Sequence, residues 1–238
     1  MSAKLYLFNL SILTILLFSE CRNKEFMDDP IPSETTTINT SLRYLALGDS
    51  YTKAECEKPS NSYPAMIVQK LSAQGINVQE QKTIAQTGWT TADLKNAITQ
   101  AGLKDTFELV SLLIGVNNQY QGRSPEEYRV EFLELLHTSI AFAGGRKDKV
   151  FVLSIPDYGY TPFGSSNQAY ISTQINLFNS INKAISDSLG VKYFDITPIS
   201  RNAQADPSLI CTDHLHPSAK MYTQWVELMY ADLVSMVK

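Results

Sequence analysis

The sequence predicts an α/β fold, a five-stranded parallel sheet with helices on both faces, because strand-like and helix-like segments alternate five times along it. Two further observations support this. The runs Leu109–Ile114 and Val150–Ile155 are apolar nearly throughout, as strands covered on both faces are. The residues best suited to chemistry follow strand ends, where open α/β sheets place their ligands.

The first strand is read over Arg43–Leu47, with Gly48 at its exit and Asp49 and Ser50 opening a turn or helix. Tyr51–Asn61 reads as a polar loop. Ser62 caps a helix whose inward residues are Ala65, Met66, Val68 and Leu71, ended by Gly75. Ile76–Ala85 is the second strand, and Thr90 or Thr91 caps the helix through Leu94 and Ile98 to about Gly102. The third strand, Leu109–Ile114, runs into Gly115-Val-Asn-Asn118. Ser124-Pro-Glu-Glu starts a helix with acids at the positive end of its dipole, and Tyr128, Phe132, Leu135, Leu136 and Ile140 recur at helical spacing. After the fourth strand, Val150–Ile155, comes a loop rich in Tyr, Gly and Pro. A helix from about Ile171 to Leu189 follows, then a short fifth strand at Val191–Phe194. Asp195–Thr212 reads as irregular. Pro217 is expected to open a last helix carrying Met221, Trp225, Leu228, Met229 and Leu233.

In 238 residues, 44% of them hydrophobic, there is material for one sizeable core. A formal charge of −4 without a Lys/Arg cluster argues against a nucleic-acid partner. Residues 1–20 read as a signal peptide: Lys4 precedes an apolar run, Leu5–Phe18, too short to span a bilayer comfortably. Cys21 stands where a lipoprotein carries its lipidated cysteine, although Glu20 departs from the small residue usual before it; the alternative is a plain secretory signal. Either way the chain is expected to be exported, to the periplasm or to a membrane through Cys21. Residues 21–41, rich in Ser, Thr, Asn and Pro, read as a polar tether, and 42–238 as the folded domain.

Ser50 follows the first strand, Gly88 the second and Asn117 the third, which points polar groups from three turns at one sheet edge. A serine nucleophile needs a base, and the base an orienting carboxylate; His216 and Asp213, three residues apart, supply both. No Cys/His grouping has metal-ligand spacing, and no cofactor is expected.

Gly48-Asp49-Ser50, Gly88, Gly115-Val-Asn117 and Asp213-x-x-His216, in that order, resemble the four blocks of the SGNH/GDSL hydrolase family. There is no Gly-x-Ser-x-Gly, which argues against the α/β-hydrolase fold. The resemblance covers residues 43–237. It implies a flavodoxin-like three-layer α/β/α sandwich and hydrolysis of small-molecule esters or thioesters: lysophospholipids, other acyl esters or O-acetylated carbohydrates. By position it makes Ser50 the nucleophile, His216 the base and Asp213 its orienter. The oxyanion hole would be the N–H groups of Ser50 and Gly88 with the Asn117 side chain. Two departures stand out: Asn118 replaces the usual Asp, and Trp89 follows Gly88, where it could reshape the substrate mouth.

Two rivals carry weight. A non-catalytic, membrane-tethered binding module of the same fold would have no reason to keep Ser50, Asn117, Asp213 and His216 together. A flavin or nucleotide protein would want a phosphate-cradling loop, and Asp49 repels phosphate. Asp49 itself is read as a structural turn residue, His214 as a solvated loop residue, and His137 as remote from the site. Tyr51, Trp89, Tyr120, Tyr158, Tyr160 and Phe163 are candidates for a pocket lining or for ordinary packing. If Ser50 and His216 meet, the loops bearing Cys56 and Cys211 run close together, and in an oxidising compartment a Cys56–Cys211 disulfide is expected.

Overall fold

The computed structural model describes residues 41–238; the signal segment, Cys21 and all but the last residue of the tether lie outside them. The strands are β1 (Leu42–Gly48), β2 (Val78–Ala85), β3 (Leu109–Leu113), β4 (Val150–Leu153) and β5 (Lys192–Phe194). Every pairing is parallel, in the order β2-β1-β3-β4-β5. This is the flavodoxin-like order, with its switch point between β1 and β3. The helices are α1 (Ser50–Lys53), α2 (Tyr63–Ala73), α3 (Thr91–Ala101), α4 (Val116–Tyr120), α5 (Pro125–Phe142), α6 (Gln168–Leu189), α7 (Thr197–Arg201) and α8 (Ala219–Val237). On one side α2 packs on α8; on the other, α5 packs on both α3 and α6.

The burial of each strand follows its place. β3 and β4 are buried at every residue, whereas β2, at the edge, buries only Ile84. β1 lies between β2 and β3 with Gly48 beside Ala85 and Leu113. Gly48 is glycine for close approach rather than for an unusual turn: a Cβ there would stand 2.4 Å from the Leu113 carbonyl oxygen and 2.1 Å from Thr52 Oγ1.

Several local expectations need correction. The inward stripe of α2 is Tyr63, Ile67 and Leu71, while Ala65, Met66 and Val68 are only partly buried. Tyr63 takes the core position because its hydroxyl is paired inside, 3.2 Å from Ser111 Oγ and 3.3 Å from Thr52 Oγ1; Tyr44 meets the same serine at 2.8 Å. The polar stretch after Ser50 contains α1, and Asp195–Thr212 contains α7. Pro217 does not open α8. It forms an isolated antiparallel bridge with Ile210, and Ser218 precedes the first helical turn. Leu228 is 50% exposed; the buried stripe of α8 is Met221, Trp225, Met229 and Leu233, four residues apart, with Tyr222 and Val226 beside it.

Candidate active site

The carboxyl ends of β1 and β3 deliver the first half of the site. Asp49 caps α1, its Oδ1 accepting from the Tyr51 N–H at 3.0 Å, and Ser50 becomes the first helical residue, 4% exposed. Asp49 is fully buried and its Oδ2 has no hydrogen-bond partner. Desolvation therefore raises its pKa to about 7, against the opposing hydrogen bonds from backbone N–H groups.

After β2 the chain turns at Gly88, whose φ of 85° is in the left-handed region open to glycine. Thr90 then caps α3 in a reciprocal arrangement with Asp93. After β3, α4 presents Asn117, whose Nδ2 donates to the Trp89 carbonyl at 2.9 Å. One amide N–H is thereby fixed and the geometry of the second is set. Trp89 contributes this backbone carbonyl and, of its two readings, takes ordinary packing: it lies partly buried against the core and does not line the site cavity. Asn118 holds α3 to α4: its Oδ1 accepts from the Thr91 N–H at 3.0 Å and its Nδ2 donates to Thr91 Oγ1 at 2.6 Å. The Thr91 hydroxyl gives its own proton to Glu131. An aspartate at 118 would face a hydroxyl with no proton to offer, so asparagine suits this neighbour.

The second half of the site comes from the loop Cys211–Pro217. His216 Nδ1 lies 2.6 Å from Asp213 Oδ2, and Asp213 Oδ1 accepts from the N–H groups of Leu215 (3.0 Å) and His216 (2.9 Å). Partial burial works to raise the Asp213 pKa. The hydrogen bonds from the His216 ring and from these two N–H groups outweigh it and hold the carboxyl below its usual range. The Tyr51 ring packs edge-on against His216 at 5.8 Å between centroids, and Tyr51 is itself held by Tyr222, whose hydroxyl donates to its carbonyl at 3.0 Å. His214 is exposed with a left-handed φ of 65°, and its carbonyl accepts from the Phe163 N–H at 3.1 Å. His137 is exposed on α5 and does not line the site.

Cys56 and Cys211 are joined by a disulfide, Cα to Cα 6.2 Å, closing 155 residues of chain. Beside it, Glu57 Oε1 accepts from the Ala219 N–H at 2.8 Å, capping α8 from the far end of the sequence, and its Oε2 accepts from Asn61 at 2.8 Å. Sequence reasoning missed Glu57, because nothing local marks a partner 162 residues away.

The two halves face one cavity of about 170 Å³. Ser50, Gly88, Asn117 and His216 line it, with Asp213 directly behind His216. Tyr51, Tyr120, Tyr158 and Phe163 are part of its wall, joined by Thr87, Val116 and Leu215; Tyr160 is not, and lies under the Arg201 guanidinium instead. Chemically, the arrangement offers a hydroxyl, an imidazole with a carboxylate on its far nitrogen, and an amide donor around one small space. Among the described residues, no cluster of His, Cys, Asp and Glu could hold a metal ion.

The profile of the GDSL-like Lipase/Acylhydrolase family matches residues 46–224. Among curated proteins none matches the chain by sequence. Among solved structures, a lipase/acylhydrolase from Enterococcus faecalis is similar at 18% identity and a TM-score of 0.66, covering 83% of this chain and 98% of the other. A variant of Axe2, an acetyl xylan esterase from Geobacillus stearothermophilus, is similar at 18% identity and a TM-score of 0.64, covering 81% and 94%. EstA, a psychrotrophic esterase from Pseudoalteromonas sp. inhibited by monoethylphosphonate, is similar at 16% identity and a TM-score of 0.60, covering 82% and 98%. At these identities the likeness is one of fold.

Proposed function

Because the chain belongs to the GDSL-like lipase/acylhydrolase family and is an ester hydrolase, we propose that Ser50, His216 and Asp213 are its catalytic triad and act on esters of short acyl groups. The observation that carries this reading is the meeting of Ser50 and His216 in one cavity, with the Asp213 carboxylate on the other ring nitrogen at 2.6 Å.

The carboxylate keeps the ring proton on Nδ1 and leaves Nε2 as the base. As Ser50 Oγ attacks the ester carbon, its proton passes to Nε2, the new C–O bond forms and the carbonyl electrons move to oxygen. That oxyanion is received by the free N–H of Asn117 and by the backbone N–H groups of Ser50 and Gly88. Such donors stabilise the transition state more than the ground state. The imidazolium then protonates the departing alcohol, and a water molecule repeats the sequence to release the acid. Asp213 stays ionised throughout; its low pKa serves that role.

Cavity size supports a short acyl group. A space of about 150 Å³ holds one benzene, so the roughly 170 Å³ here suits acyl groups of a few carbons. An acetyl ester is what the name of the Axe2 relative describes. Ser50→Ala should abolish hydrolysis of p-nitrophenyl acetate and leave the thermal midpoint nearly unchanged. Retention of more than a trace of activity would sink the triad.

Export and lipid attachment at Cys21 belong to the same proposal, motivated by the apolar run Leu5–Phe18 that precedes it. Metabolic labelling with a palmitate analogue should tag the wild type and not Cys21→Ser; equal labelling of both, or of neither, would leave plain secretion.

A further inference from the structure

A second cavity, of about 290 Å³, adjoins the catalytic one and shares with it the wall formed by Tyr120, Tyr158 and Phe163. These three rings stand 6.1–6.3 Å apart, centroid to centroid, as one aromatic cluster. Tyr170, at the start of α6, lines the same cavity. Tyr120, Phe163 and Tyr170 are 60%, 49% and 57% exposed, and they are the only aromatic side chains among the exposed large hydrophobics of the described residues. All three border this one depression. Exposed apolar groups scattered singly need no explanation, but a gathered set beside a reactive centre marks a binding surface.

Besides the rings, Gly122, Gly164 and Ile171, the lining is polar: Gln119, Ser166 and Asn167. Gln119 is only 7% exposed, and its Oε1 is buried without a hydrogen-bond partner. No Lys or Arg lines either cavity. The phosphate of a lysophospholipid or of a nucleotide thioester would therefore find no cation inside either cavity. A long acyl chain would want a continuous apolar trough, which the amides and hydroxyl interrupt.

We propose that this second cavity is the leaving-group subsite, and that the alcohol it takes is a neutral carbohydrate, so that the substrate is a short-acyl ester of an oligosaccharide. Flat aromatic faces match the C–H face of a pyranose, and the amides and hydroxyl between them match its O–H edge. The loop bearing Tyr158 and Phe163 is fixed from both ends. Buried Asp157 pairs with Arg201 at 3.0 Å, and the Phe163 N–H is bonded to the loop carrying His216. The platform is thus built before substrate arrives, which lowers the ordering cost of binding.

This proposal rests on the hydrolase site above, and two measurements separate their fates. The first compares kcat/KM for O-acetylated oligosaccharides of xylose, glucose and mannose with kcat/KM for p-nitrophenyl acetate and lysophosphatidylcholine. The wild type should prefer at least one oligosaccharide. In Tyr170→Ala the ratio of oligosaccharide to p-nitrophenyl acetate efficiency should fall about tenfold, mainly through KM. An unchanged ratio, or preference for lysophosphatidylcholine, overturns the subsite. The second measures calorimetric binding of the same oligosaccharides to the Ser50→Ala protein, where catalysis plays no part. Binding weakened about tenfold by adding Tyr170→Ala supports the platform; no binding, or equal binding, overturns it. A wild type that hydrolyses no ester at all would instead overturn the hydrolase site, and calorimetry would still judge the platform.

Discussion

The two halves of the site are held by different means. The strand-end half, Ser50 and Asn117, rests on β1 and β3, whose residues are nearly all buried, and the turns after these two strands are tied, by Asp49 to the Tyr51 N–H and by Asn117 to the Trp89 carbonyl. The loop half, Asp213 and His216, sits in irregular chain. The Asp213 side chain is 33% exposed and that of His216 10%. What replaces a sheet there is a set of cross-links: the Cys56–Cys211 disulfide, the Glu57 cap on α8, the Ile210–Pro217 bridge and the Cys211 N–H bonded to the His216 carbonyl at 2.8 Å. Precision at a catalytic centre does not require regular structure, but irregular chain needs staples to reach it.

The largest effect expected on either half is loss of the proposed base. His216→Ala should lower kcat by roughly 10⁴–10⁶-fold while the thermal midpoint stays near that of the wild type, because the loop's staples do not include the ring. A loss below tenfold, in a steady-state assay with p-nitrophenyl acetate, would remove His216 from the mechanism.

Cutting the staple should separate the halves. The loop-entropy account assigns a bridge over 155 residues up to about 5 kcal/mol of stability. In a reductant titration, activity should fall before near-UV circular dichroism does, because the loop half loosens while the sheet stands. Coincident loss of both signals would mean that the two halves are one cooperative unit.

On the strand-end side, Asn117→Ala should lower kcat about 10²–10³-fold with a smaller change in KM, as loss of an oxyanion donor does. An effect on KM alone would make Asn117 a substrate-binding residue.

The smallest effect concerns the two carboxylates, whose pKa values move in opposite directions. Asp49, raised from 3.8 to about 7 by burial, favours the folded state when protonated, so its contribution is lost as pH rises from about 4 through about 7. Asp213, held low, contributes above the ordinary carboxylate range, and that contribution is lost as acid protonates it. Asp49→Asn should therefore gain on the wild type between pH 5 and pH 8 in chemical denaturation, by a few kcal/mol at most. A constant difference across that range would mean that Asp49 does not titrate there.

The same contrast explains what can be read from sequence. Strand ends are legible because continuous apolar runs fix β3 and β4, and Ser50, Gly88 and Asn117 follow strands directly. Asp213 and His216 are marked in the sequence by their spacing and by the resemblance of Asp213-x-x-His216 to the family's last block. The α2 stripe defeats a reading by periodicity because a tyrosine counts as half-polar until its hydroxyl finds Ser111 and Thr52 across the core. Helices α1, α4 and α7, four or five residues each, are too short to show a period. Glu57 and the Trp89 carbonyl act through distant partners, and no window of sequence contains both ends of such a contact.

The central claim is that Ser50 is an activated nucleophile, and covalent labelling tests it most directly. A fluorophosphonate should add one equivalent to the intact protein by mass spectrometry, on the peptide containing Ser50, with labelling abolished in Ser50→Ala and strongly slowed in His216→Ala. Absence of an adduct on active enzyme, or an adduct that persists in Ser50→Ala, would contradict the account.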